Sequence, residues 1–234
     1  MNTMRKLLAI LLLAPAIAAA AEAGYRLDRS PHDPNDLASL QYGAKMYVNY
    51  CLGCHSAQYM RYNALTALGL TEEQIKDNLL FTAEKVGETM KIPLDAKVAK
   101  QWFGVAPPDL SVVARSRGTD WLYTYMRTFY RDPKTATGWN NAVFENVAMP
   151  HALWTLQGER GYDPEKRVFT EIRKGTLSQV DYDAAVRDLV NFLAYVGEPA
   201  AQRRKAIGIV VLFVLGILFI FVYLLKKEFW RDVK

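Results

Sequence analysis

The amino-acid sequence predicts a mostly α-helical domain with long loops, exported from the cytoplasm and anchored by one C-terminal transmembrane helix. Three observations support this prediction: an apolar run at the N-terminus, a longer one near the C-terminus, and helical hydrophobic spacing between them. The chain has 234 residues, 51% hydrophobic and 23% charged, which is enough for one domain with a hydrophobic core. Collagen-like, coiled-coil and disordered chains are excluded by this composition.

The N-terminus has the layout of a secretory signal peptide. Residues 7–21 are apolar apart from one proline, follow two basic residues and end in a run of small side chains. Fifteen residues are too few to cross a bilayer as a helix, so an uncleaved anchor is the weaker interpretation. We expect a signal peptide over 1–21 and an exported domain over 22–200.

Helix signals dominate the exported domain. A capping box begins at Thr71, a turn at 107–109 leads into a short helix that ends at Gly118, and an aromatic-rich helix is expected over 121–130. Residues 178–196 carry apolar side chains at i, i+3 and i+4 spacing, the clearest helical pattern in the domain. Because segments of alternating polarity are hard to find, we expect few strands.

The second apolar run, 206–225, contains twenty residues without a charge. At about 1.5 Å per residue it covers the roughly 30 Å hydrocarbon layer, so it is predicted to span the membrane. Since the signal peptide sends everything upstream across the membrane, the tail at 226–234 is expected in the cytoplasm.

A C-x-x-C-H motif, formed by Cys51, Cys54 and His55, is the most specific chemical feature of the chain. Two thiols on one helical turn can form thioethers to the two vinyl groups of a haem, and the adjacent histidine then reaches the iron. A redox dithiol would need a thioredoxin-like βαβ setting, and a zinc site would need His32 and His151 from unrelated contexts. One covalently bound haem c per chain is therefore predicted.

The helix before the motif places small and aromatic residues one turn apart. Asp36 can cap it, and Gly43, Tyr47 and Cys51 follow at four-residue intervals. A mid-helix glycine costs about 1 kcal/mol relative to alanine, so it usually permits a close approach. We expect the C-terminal helix of the domain to make that approach through Phe192 and Tyr195.

A six-coordinate haem needs a second axial ligand. Met46 and Met60 lie too near the motif to reach the other haem face, and Met126 lies in a helical pattern typical of core filler. Met149, in a loop before Pro150, is favoured on sequence grounds, and His151 and Met90 remain as alternatives. A haem with both axial positions filled transfers electrons and offers no open position to a substrate.

Further segments accompany the motif: Ser39-Leu40-x-x-Gly43-x-x-x-Tyr47, residues 51–56, Tyr62, residues 106–111 (Ala-Pro-Pro-Asp-Leu-Ser), Arg115, Arg117 and Met149-Pro150. These segments are spread over most of the exported domain, and the single C-terminal anchor follows it. They resemble the cytochrome c1 family, the haem subunit of the quinol:cytochrome c oxidoreductase.

The resemblance implies a class I cytochrome c-like haem domain. It implies His55 as the proximal iron ligand and Met149 as the distal one. It also implies that Pro108 shapes the rim of the haem pocket and that Arg117 pairs with a haem propionate. The chain departs from the family pattern at His151, where a second Ala-Pro or Pro-Pro is common, and we expect this histidine to be exposed in a loop.

The function implied by the resemblance is electron transfer rather than catalysis by this chain alone. The haem would take an electron from a Rieske iron-sulfur protein and pass it to a soluble or tethered c-type cytochrome, next to a cytochrome b subunit. The expected location is the bacterial inner membrane, with the haem domain on the periplasmic side. Two alternatives stay open: an independent membrane-tethered electron shuttle, and a haem enzyme or sensor with an open iron site.

The net charge of +5 and the pI of about 9.1 are misleading for the domain itself. Residues 22–200 contain 20 Lys and Arg against 22 Asp and Glu, a formal charge of −2. The positive excess lies in the signal peptide and around the membrane span. A nucleic-acid partner is therefore not expected.

Overall fold

The computed structural model describes residues 25–92 and 94–233. The signal peptide predicted over 1–21 lies outside the described residues. In chain order the elements are α1 (Leu37–Tyr50), β1 (Ala57–Arg61), a 3-10 helix (Tyr62–Leu68), α2 (Glu72–Asn78), β2 (Thr89–Met90), α3 (Ala96–Phe103), α4 (Val113–Ser116), α5 (Thr119–Arg127), β3 (Phe129–Arg131), β4 (Trp139–Asn141), α6 (Trp154–Gln157), β5 (Gly158–Asp163), β6 (Val168–Lys174), α7 (Gln179–Gly197) and α8 (Ala201–Phe229).

Helices α1 and α7, distant in sequence, pack against each other at the centre of the core. Each begins at a polar cap: the Asp36 carboxylate accepts from the backbone N–H of Ser39 at 3.0 Å, and the Ser178 hydroxyl accepts from that of Asp181 at 3.2 Å. Such caps satisfy N–H groups that have no partner within the helix. The capping box predicted at Thr71 is also present, at the start of α2.

Gly43 allows α1 and α7 to approach closely. A Cβ atom built on Gly43 would lie 2.0 Å from the carbonyl oxygen of Asp188 and 2.7 Å from Cβ of Phe192. The expected approach of the C-terminal helix through Phe192 is therefore confirmed. Tyr195, one turn further on, donates its hydroxyl to the carbonyl of Ala64 in the 3-10 helix at 2.9 Å.

The structure contains strands that the sequence pattern did not predict. The aromatic helix predicted over 121–130 ends at Arg127, because the next residues, β3, pair antiparallel with β4. The hairpin of β5 and β6 was not predicted, since its strands carry charged residues on both faces and show little alternation. The described strands form three two-stranded antiparallel sheets, while about half of the described residues are helical.

The last helix, α8, is long and apolar. It covers 29 residues, contains a window of mean hydropathy 3.1, and has no buried residue within the fold. An apolar helix of this length with no protein surface to cover it matches a membrane span. It contains the predicted span 206–225 and extends a few residues beyond it at both ends.

Candidate haem-binding site

A cavity of about 590 Å³, part of it open to solvent, lies at the C-terminal end of α1. Residues far apart in sequence line it together: Cys51, Cys54 and His55, then Pro108, then Met149. Most of the remaining lining side chains are apolar, so the cavity suits a flat hydrophobic group.

The two cysteines and the histidine are held on one turn where α1 ends. The backbone N–H groups of Cys54 and His55 both donate to the carbonyl of Cys51, at 3.0 and 2.8 Å. Cys51 is buried and Cys54 is exposed. This turn gives the short, fixed separation that two thioether bonds to one porphyrin require.

Burial raises the pKa of the Cys51 thiol to about 12, and the neighbouring Cys54 adds to the effect. Reactive redox thiols instead have low pKa values, because they act as thiolates. Among the described residues, no group of three or more His, Cys, Asp or Glu side chains could hold a metal ion. The redox-dithiol and zinc interpretations of the motif therefore lack structural support.

His55 is buried, with 9% of its surface exposed, and its ring is oriented by a backbone group. Its Nδ1 lies 2.7 Å from the carbonyl oxygen of Pro108. Because a carbonyl can only accept, Nδ1 carries the proton and Nε2 keeps its lone pair. This is the usual arrangement of a metal-ligating histidine. Burial also lowers the pKa of His55, which favours the neutral imidazole.

Met149 lines the cavity from the loop that precedes α6 and is half-buried. Its sulfur accepts a hydrogen bond from the hydroxyl of Tyr125 on α5, with 3.4 Å between Oη and Sδ. Sequence reasoning did not single out Tyr125. The two residues are 24 positions apart, and an aromatic residue inside a helix carries no local sign of such a contact.

The rival ligands are held elsewhere. His151 is 1% exposed and not an exposed loop residue as expected: its ring stacks on Phe129 at a centroid distance of 4.8 Å, and its Nε2 lies 2.8 Å from Oε1 of Gln157. Met90 is fully buried in β2, where it pairs with Ala57 of β1. Of the described methionines and histidines, only Met149 and His55 line the cavity.

Arg117 lies outside the cavity lining, on an exposed aromatic surface beside it. Its guanidinium lies 5.1 Å from the ring centroid of Trp121 and 5.9 Å from that of Phe144. Trp121 in turn stacks on Tyr125 at 4.7 Å. Arg117 is therefore connected to the Met149 side of the cavity through two stacked rings.

The residues present fit a covalently bound haem. They supply two thiols on one turn, an imidazole with a free Nε2, a thioether, and an apolar cavity beside all of them. This donor set, with one histidine and one methionine, is the axial set of electron-transfer cytochromes.

The chain is similar in sequence to known proteins over most of its length. The model of the cytochrome C1 family matches residues 28–233. The chain is 46% identical over 243 positions to a protein of Allochromatium vinosum named cytochrome c1, covering 98% of this chain and all of the relative. It is 27% identical to cytochrome c1 of Rhodospirillum rubrum, covering 85% of this chain and 83% of that protein.

A relative of Nitrosomonas europaea has a different name. It is called ammonia monooxygenase gamma subunit and is 47% identical over 234 residues, covering the whole of both chains. Its identity to this chain is almost the same as that of the Allochromatium cytochrome. Two relatives of nearly equal similarity therefore have different names. The family match, which spans nearly all the described residues, and the C-x-x-C-H cavity agree with each other. The chain belongs to the cytochrome c1 family, and its function is electron transfer through haem c.

Proposed function

We propose that this chain is the haem subunit of a quinol:cytochrome c oxidoreductase, taking electrons from a Rieske iron-sulfur protein and passing them to a c-type cytochrome. The observation that carries the proposal is the gathering of Cys51, Cys54, His55 and Met149 around one apolar cavity in a chain of this family. The chain acts as an electron carrier within the complex and catalyses no reaction by itself. With His55 and Met149 both binding the iron, no open position would be left for a substrate.

In this proposal, Cys51 and Cys54 would hold the porphyrin, and His55 and Met149 would bind the iron through Nε2 and Sδ. The haem supplies a one-electron ferric–ferrous couple. The protein's own contribution is to keep the ligands in place with little rearrangement. Pro108 does this directly, because its carbonyl accepts from His55 Nδ1 at 2.7 Å. Tyr47 assists by donating its hydroxyl to the His55 carbonyl at 2.7 Å.

Arg117 is proposed to neutralise a haem propionate. Its exposed guanidinium rests on Trp121 and Phe144, so its direction is restrained although the structure gives it no ion pair among the described residues. Arginine presents several N–H donors in a planar fork that matches a carboxylate. A propionate carboxylate at the edge of the cavity would complete the hydrogen bonding of this side chain.

We place the haem domain in the periplasm and the chain in the inner membrane of a bacterium, with cytochrome b and the Rieske protein as partners in the complex. The apolar helix α8 supports membrane anchoring. The signal-peptide layout of the first 21 residues supports export of the domain, which is also where c-type haem is attached. Cytochrome b and lipid are the proposed neighbours of α8, because a helix without buried residues needs an apolar environment.

Isolation of the native assembly tests which subunits accompany this chain in the membrane. The full chain, tagged at its C-terminus and expressed in its own host, is solubilised in mild detergent, and the co-purifying subunits are identified by mass spectrometry. We expect cytochrome b and the Rieske protein, together with reduction of the haem by added quinol. A tagged, unrelated single-span membrane protein serves as the control.

Other outcomes of this isolation would contradict the proposal. Recovery of the chain alone, with its haem, would identify an independent tethered shuttle. Recovery with the remaining subunits of a monooxygenase would favour the role for which the Nitrosomonas relative is named.

Replacing Met149 by leucine tests the distal ligand. A leucine of similar volume cannot donate to iron, so we expect loss of the sulfur-to-iron charge-transfer band of the oxidised protein, a lower midpoint potential, and new binding of carbon monoxide to the reduced haem. The matched control is Met90→Leu, which alters a buried methionine of β2 outside the cavity lining. An intact band in Met149→Leu, or its loss in Met90→Leu, would assign the ligand elsewhere.

A further inference from the structure

Tyr125 on α5 is a buried tyrosine whose hydroxyl is aimed at a sulfur atom. Its side chain is 8% exposed, and the hydroxyl donates to Sδ of Met149 at 3.4 Å. Within the part of the chain that the structure describes, this sulfur is its hydrogen-bond partner. A buried hydroxyl that donates its hydrogen bond to a weak acceptor such as a thioether needs an explanation.

Packing restricts the ring of Tyr125 on two sides. Trp121 stacks against it with a centroid distance of 4.7 Å and an interplanar angle of 11°, and Phe129 meets it edge-on at 5.0 Å. Its backbone carbonyl accepts from Nδ2 of Asn141 at 2.7 Å. Ring and backbone are thus both restrained, so the hydroxyl keeps one direction.

The hydroxyl is also kept in its donating form. A tyrosine hydroxyl has an ordinary pKa of about 10. The group is therefore protonated throughout the physiological pH range. It is the donor and the sulfur is the acceptor, because Met149 has no proton to donate.

A thioether sulfur has two lone pairs. When one of them binds iron, the other can still accept a hydrogen bond, and that bond withdraws electron density from the sulfur. Ferric iron needs this density more than ferrous iron does, so the hydrogen bond disfavours the ferric form. Hydrogen bonds donated to a metal ligand by a group that does not itself bind the metal tune the ligand in this way.

We propose that Tyr125 is a positioning residue that holds the Met149 thioether in place through its hydroxyl and raises the reduction potential of the haem. The proposal rests on Met149 being the distal ligand. It gives the packed rings of Trp121, Tyr125 and Phe129 a functional role in addition to packing, since they fix the direction of the hydroxyl.

The test is redox titration of the full-length holoprotein carrying Tyr125→Phe, which keeps the ring and removes only the hydroxyl. We expect the ferric-to-ferrous ratio at a fixed applied potential to rise by about threefold to tenfold, tenfold corresponding to about 59 mV for a one-electron couple. The sulfur-to-iron charge-transfer band should persist but shift, because the sulfur remains a ligand with altered electron density.

Tyr123→Phe is the matched control. Tyr123 lies on the same helix, is 7% exposed and carries the Arg127 guanidinium 4.5 Å from its ring centroid. Residues two positions apart on a helix point to different faces. The control removes the hydroxyl of a buried tyrosine on α5 without touching Met149, so its potential should equal that of the unmodified protein.

The outcomes separate the two proposals. If the unmodified protein lacks the charge-transfer band, or Met149→Leu retains it, the proposed ligand is wrong and Tyr125 loses its role with it. If the band depends on Met149 but Tyr125→Phe titrates like Tyr123→Phe, the ligand stands and Tyr125 is only a packing residue. If Tyr125→Phe does not fold, Tyr125→Trp and Tyr125→Leu provide a second pair of variants, since tryptophan has an indole N–H donor and leucine has none. We expect a higher reduction potential for the tryptophan variant. Equal reduction potentials for the two variants would overturn the proposal.

Discussion

Gly43 shows how one residue determines the packing of two helices. The Asp188 carbonyl and the Phe192 side chain occupy the space that a larger side chain at this position would need. The rings of Tyr47 and Phe192, one turn further along, then meet at a centroid distance of 5.7 Å. Since the haem motif follows directly at the end of α1, this contact also places Cys51 and His55.

Replacing Gly43 by alanine tests this role. Alanine is the better helix former by about 1 kcal/mol, but its methyl group would overlap a backbone oxygen, and such overpacking typically costs about 1–3 kcal/mol. We expect a net loss in the free energy of unfolding and a lower melting temperature of the holoprotein. Gly87→Ala is the control, because nothing lies within 4 Å of a Cβ built there. Equal melting temperatures for the two variants would show that α1 and α7 can separate at no cost.

Tyr125 is the contrasting case at the residue scale. The glycine spacing of α1 can be recognised in the sequence, since positions 43, 47 and 51 lie on one face of a helix. The hydrogen bond of Tyr125 cannot, because its partner belongs to a loop 24 residues away and α5 is rich in aromatic residues that differ only in what they contact.

At the scale of elements, the β5–β6 hairpin is joined to β3 by an ion-pair cluster. Glu159 accepts from Nε of Arg131 at 2.7 Å and also pairs with Arg173 across the hairpin, while the Arg131 guanidinium lies 4.2 Å from the ring centroid of Trp139. The carboxylate is 12% exposed, so solvent screens the cluster only in part. These contacts attach a hairpin that has few buried apolar residues of its own.

The cluster makes stability depend on pH. The hydrogen bond from Arg131 and the charges of both arginines hold the pKa of Glu159 below its ordinary value of 4.5. A carboxyl group whose pKa is lower in the folded state stabilises the fold above its unfolded pKa, and this contribution is lost as the pH falls below about 4.5. Glu159→Gln should therefore unfold more easily than the unmodified protein at neutral pH, with the difference shrinking on acidification.

Thermal unfolding of both proteins between neutral and acidic pH measures this difference. Glu171→Gln is the control, since Glu171 is an exposed carboxylate on β6. A difference for Glu159→Gln that stays constant with pH would mean that the glutamate acts through packing and not through its charge.

At the scale of the whole molecule, a short connection joins the haem domain, which suits an aqueous environment, to the apolar helix α8, which suits a lipid environment. Residues 22–200 carry a formal charge of −2, whereas basic residues gather near both ends of α8. Arg204 pairs with Glu198 where the domain passes into the helix, so the junction itself carries a contact. Basic side chains near the ends of an apolar helix suit the charged membrane interface.

The sequence by itself determined the features that depend on neighbouring residues. The haem-attachment motif lies within five positions, the caps and apolar spacing define α1 and α7, and the length of the uncharged run predicts the membrane span. Only the tertiary structure decided which distant groups meet. It brings Met149 into the cavity while His151 stacks on Phe129, sets the Pro108 carbonyl against His55, and directs Tyr125 toward Met149. The reason is physical: local patterns reflect hydrogen bonding and hydrophobicity along the chain, whereas these contacts follow from how the helices and loops pack.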